Sequence, residues 1–82
     1  MKITHWIAPR PGEPEFAARL ISRDGQVYSA AVTTGGRVSA CRRLISVGSQ
    51  SLWRPVRPPP RSLVRLCRER LAPDSEGRRG AE

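Results

Sequence analysis

Catalysis and metal binding need particular side chains brought together, and this chain supplies few of them. It has one histidine, His5, two cysteines, Cys41 and Cys67, and seven carboxylates scattered over 82 residues. No serine or cysteine stands at motif spacing from a base, so neither an activated nucleophile nor an acid–base pair is legible. His5 reads as a strand residue. Cys67, with Arg68 beside it and Arg70 nearby, has the cationic neighbours that lower a thiol pKa. It also falls on an apolar helical stripe, where a buried, inert thiol is expected. His5, Cys41 and Cys67 would give a metal three ligands from three separate elements, without the paired spacing of structural zinc sites. Thr33-Thr34-Gly35-Gly36-Arg37 resembles a phosphate-cradling loop, but the Gly-Lys-Ser/Thr of a P-loop is missing and turn chemistry accounts for its glycines. No metal, cofactor or enzymatic activity is expected.

What the chain does supply is arginine. Fourteen arginines and one lysine give a net charge of +8 and a pI of about 11.4. The charge is segregated: residues 1–36 hold four basic and three acidic side chains, residues 37–72 nine arginines against Glu69 alone, and residues 73–82 two arginines against three carboxylates. Uncompensated like charges repel, so the central block points to a polyanionic partner. The candidate binding residues are Arg42, Arg43, Arg54, Arg57, Arg61, Arg65 and Arg68. Guanidinium forks suit phosphates and guanine edges, and four such contacts to duplex DNA would give a log–log salt slope of about −3.6. Trp53 could stack on an exposed base or anchor the chain to its core, and a small core favours the anchor. The expected function is therefore non-enzymatic binding of DNA or RNA. The alternative is a small interaction module or inhibitor, of the kind mobile elements encode, docking on an acidic protein surface.

Other partners fit less well. Pro55 and Pro58 make one PxxP step, but neither Arg54 nor Arg61 falls at the offsets SH3 domains read. The last helical pattern is short, narrow and without Trp or Phe, a poor membrane-surface element. No apolar run exceeds three residues, so neither a spanning segment nor a secretory core is visible and a cytoplasmic location is expected. A chain this short buries only roughly 60% of its unfolded surface, leaving no room for a small-molecule pocket.

The elements that would position these residues form one small domain over 1–72. Residues 2–8 read as a strand with Ile3, His5 and Ile7 on one side, followed by a proline-rich loop at 9–14. Asp24-Gly25 signals a two-residue hairpin turn pairing Ile21 with Tyr28 and Arg19 with Ala30. A helix over 14–22 is the weaker rival. Val38, Cys41, Leu44 and Ile45 recur at helical spacing, with Gly48 as terminator. Prolines make 49–61 a polyproline II strap, with Arg54 and Arg57 one turn apart. Ser62 would cap a helix over 62–72 whose stripe is Leu63, Leu66, Cys67 and Leu71. Residues 73–82 read as a disordered tail. The expected fold is α+β: a three-stranded antiparallel sheet and two short helices joined by a proline-rich strap.

Overall fold

The computed structural model describes residues 1–71, so the tail reading lies outside the described residues. Five strands follow one another: β1 (Lys2–Ile7), β2 (Glu15–Ile21), β3 (Val27–Thr33), β4 (Val38–Val47) and β5 (Gln50–Pro55), then a helix, α1 (Arg61–Arg70). The strands form one antiparallel meander in the order β1-β2-β3-β4-β5. The expected α+β arrangement is thus overturned: the sheet has five strands, not three, and the described residues hold one helix, not two.

Alternation along each strand builds the core. Ile3 and Trp6 from β1, Phe16, Ala18 and Leu20 from β2, Tyr28, Ala30 and Val32 from β3, and Val38 and Cys41 from β4 gather on one face, where Leu63 and Cys67 of α1 meet them. Leu20, Val32, Leu63 and Cys67 are completely buried. Trp6 and Phe16 stack with centroids 5.1 Å apart along one margin. Among the described residues no polar or charged side chain is buried, so the core rests on apolar transfer alone.

Several local readings are corrected. Residues 38–47 are a strand. Their apolar spacing fits either period, and as a strand they put Arg42 and Arg43 on opposite faces. The strand tolerates this because α1 covers only one face of the sheet, and Arg43 is exposed on that face too. Gly48, at φ 62°, is the first residue of a two-residue turn between Val47 and Gln50, the position where that turn type needs positive φ.

The strap is shorter than expected, because residues 50–55 pair with β4. The Val56 N–H donates to the Cys41 carbonyl at 2.9 Å. Amides alternate along an antiparallel ladder, so Gln50, Leu52 and Arg54 turn theirs towards β4. Pro55 therefore sits where an amide would face solvent, a strand position that proline occupies without losing a ladder bond. Residues 56–60, with a cis Arg57–Pro58 bond, connect β5 to α1.

The β2–β3 hairpin exists, but with Leu20 opposite Tyr28 and Ile21 opposite Val27. Its loop has three residues: Ser22 and Gln26 close it, the Ser22 N–H donating to the Gln26 carbonyl at 2.9 Å and the Gln26 N–H to Ser22 Oγ at 3.0 Å. Only Gly25 takes a positive φ, 88°, so Asp24 does not form the two-residue turn. That one-residue slip reverses which residues share a face. In β1 the register shifts between Ile3 and His5, and this bulge brings Ile3 and Trp6 to the core side.

α1 begins after Pro60, and Ser62 makes no capping bond; its hydroxyl approaches Met1 Sδ at 4.0 Å. The expected stripe does face inward, with Leu63 and Cys67 buried and Leu66 and Leu71 half-buried.

Cys41 and Cys67 are both buried and unpaired. Burial pushes both thiols up, and for Cys67 the nearby Cys41 adds to the effect. A thiol whose pKa is raised by folding holds its proton more tightly in the native chain. Its contribution is complete below the ordinary value of 9.0 and is lost as pH climbs through the folded value. Neither thiol should react promptly with a disulfide reagent at pH 7, both should react on unfolding, and the urea midpoint should fall as pH rises past the ordinary thiol value of 9.0. Prompt reaction of one native thiol would contradict the packing.

Candidate nucleic-acid interface

α1 covers one face of the sheet, and among the described residues nothing covers the other. Residues directly opposite in antiparallel strands point to the same side, so the pairing assembles that face row by row. One row runs His5, Arg19, Ser29, Arg42 and Pro55 through all five strands. Beside it lie Ile7, Ala17, Ala31 and Ala40. On its other flank stand Ile21 and Val27 from β2 and β3, and Leu44 paired with Trp53 from β4 and β5. A cationic row thus runs between two apolar ones.

Trp53 is 37% exposed on this open face. It does not anchor the chain to the core, which lies on the opposite side of the sheet. The Arg19 guanidinium carbon lies 5.5 Å from its ring centroid, reaching across β3 and β4. Ser29, the residue next to Arg19 in the row, is small enough to let it pass. Such a contact contributes about 0.5–1 kcal/mol at an exposed site and limits the ring's movement. Next to Trp53 a concavity of about 400 Å³ is lined by Ala40, Cys41, Arg42, Trp53, Pro55 and Arg57. A smaller one, about 180 Å³, is lined by His5, Ile7, Ala17, Ala18, Arg19 and Ser29.

The seven candidate arginines do not share one surface. Arg42 and Arg57 join Trp53 on the open face. Arg43 and Arg54 stand directly opposite each other on the other face, a like-charge pair that disfavours the sheet locally. Arg61, Arg65 and Arg68 line a groove on the outside of α1 with Pro59, Val64 and Glu69. The hydrogen bonds these arginines make among the described residues go to neutral oxygens: Arg43 Nη1 donates to Gln26 Oε1 and Arg68 Nε to the Gly36 carbonyl, each at 3.4 Å.

Arg19 was missed, because it lies in the part of the chain with nearly balanced charge. Its signal was alternation: with the three-residue loop at 23–25, Arg19 falls opposite Ser29 and in the same row as Arg42.

Among the described residues the three candidate metal ligands do not come together. His5 is exposed on the open face, with Thr4 Oγ1 3.0 Å from its Nδ1, whereas both cysteines lie in the core. Among the described residues no cluster of three His, Cys, Asp or Glu could hold a metal ion, and no helix is long and apolar enough to cross a membrane. No protein-family model matches the chain, and neither a curated protein nor a solved structure is significantly similar to it.

Proposed function

We propose that this protein binds nucleic acid without catalysis, and that it takes a single strand along the open face of its sheet. The observation that carries this reading is Trp53, exposed on an uncovered face with Arg19 over its ring and Arg42 and Arg57 around the adjoining concavity. An aromatic ring offers a stacking platform to any base, and guanidinium groups beside it suit the backbone phosphates. The alanines of the neighbouring row let a ligand come close to the strands. The bases of a duplex are paired and stacked inside it and offer no free face to Trp53.

Salt dependence tests the assignment. Three arginines engaging a single strand give a log–log slope of about −2. Arg42→Ala with Arg57→Ala should reduce its magnitude by about 1.4, while Arg61→Ala with Arg65→Ala should leave it unchanged. Fluorescence anisotropy with a labelled oligonucleotide at several salt concentrations reads both. A slope carried by the α1 pair would move the site to the helix. No binding at low salt would abandon nucleic acid in favour of an acidic protein surface.

A further inference from the structure

The two edges of the sheet are unlike each other. β1 is interrupted by its bulge and carries Lys2, features that discourage further pairing. β5 has all six residues exposed, and its protection is confined to one end, at Arg54 and Pro55. The other half, Gln50-Ser51-Leu52-Trp53, carries no charge and no proline. It belongs to a hairpin arm that extends past the last β3–β4 pair, Tyr28 with Arg43. Leu52 is 43% exposed and Val47 53% exposed on that arm, on the same side as α1 but clear of it.

We infer that β5 is a self-association edge, through which two copies of this chain join antiparallel about a two-fold axis at Leu52. The register follows from the ladder. With Gln50, Leu52 and Arg54 bonded inward, only Ser51 and Trp53 present outward amide donors, since Pro55 has none. Centring the axis on Leu52 sets Ser51 opposite the partner's Trp53, and each residue gives and accepts one bond, making four between the copies. Moving the axis to Trp53 drives the Pro55 ring into the partner's Ser51 carbonyl and sets Arg54 against Leu52. Moving it to Arg54 sets arginine against arginine. Only the Leu52 register puts leucine against leucine on the axis and Arg54 against the neutral Gln50. It also continues the apolar side of the arm, Ile45-Leu52, into its symmetry mate. The two open faces then lie on the same side of one ten-stranded sheet.

Two chains of the same high charge repel at long range, so screening favours the pair. Self-association should therefore strengthen with salt, the opposite of nucleic-acid binding, and the two readings stand or fall separately. Sedimentation equilibrium of the full chain from low to high salt should show a monomer–dimer equilibrium moving towards dimer. Leu52→Lys, at an exposed site, should raise the dissociation constant by about 100-fold or more, since it removes the apolar contact and sets like charges opposite each other. Ser51→Pro should do the same, removing an outward donor while leaving the intrachain ladder intact. Under mild oxidation Leu52→Cys should give a covalent dimer, because residues facing across a non-hydrogen-bonded pair stand closest. The two buried native thiols should stay silent. A chain that stays monomeric at high concentration and high salt overturns the inference. So does a dimer indifferent to both Leu52→Lys and Ser51→Pro, which would join through another surface.

Discussion

Leu63→Ala is expected to destabilise the fold by about 2–5 kcal/mol, the range for truncating a fully buried leucine. Leu63 has no exposure and is one of only two buried residues on α1. A ten-residue helix is marginal alone, so α1 persists only because this side chain and Cys67 dock on Leu20, Tyr28 and Val32. Truncation leaves a cavity and also weakens what holds the helix. Domains this small have total stabilities of only about 5–15 kcal/mol, so much of the margin would go. Urea denaturation followed by far-ultraviolet circular dichroism checks this. A loss below about 1 kcal/mol would mean that α1 contributes little to sealing the core.

Trp53→Ala is expected to separate binding from stability. Removing a stacking platform costs about 1–3 kcal/mol per base, so affinity for a single-stranded oligonucleotide should fall about 5- to 150-fold. The urea midpoint should barely move, because the ring lies outside the core and loses only the Arg19 contact and its neighbour Leu44. Trp53→Phe should restore much of the affinity, since any aromatic face stacks. If Trp53→Ala instead unfolds the chain, the ring is a structural anchor and the open face loses its central argument. Arg19→Ala should reproduce part of the binding loss, having lost both a phosphate partner and the group that holds the ring.

The legible parts of the sequence were those where one physical rule acted alone. α1 was found from its stripe, since Leu63, Leu66 and Cys67 admit only one period. β1 and the β2–β3 hairpin were found from alternation and a glycine turn. Residues 38–47 were not, because Val38, Cys41, Leu44 and Ile45 satisfy two periods. Arg42 and Arg43 do not break that tie, because a strand sends them to opposite faces, which a sheet buried on both sides disfavours and one with an open face allows. β5 was hidden by Pro55 and the prolines that follow it, because whether Pro55 breaks a strand depends on the direction of an amide it does not have. The candidate site inherited these errors. Sequence clustering put seven arginines on one surface, whereas strand alternation sends Arg42 and Arg43 to opposite sides and recruits Arg19 from a segment of balanced charge.

The meander has a consequence for how the chain folds. Every strand pairs with its immediate neighbour, so the sheet has low contact order and can assemble hairpin by hairpin. The long-range closure among the described residues is the return of α1 onto the sheet, where Ser62 reaches Met1 and the Arg70 guanidinium lies over the Trp6 ring, 6.0 Å from its centroid. Until that closure, Leu20, Val32 and Tyr28 face water, and the half-made molecule exposes the surface most prone to aggregate. Docking of the helix then belongs late on the pathway. Leu63→Ala should accordingly act on the unfolding limb of the chevron and leave the refolding limb nearly unchanged.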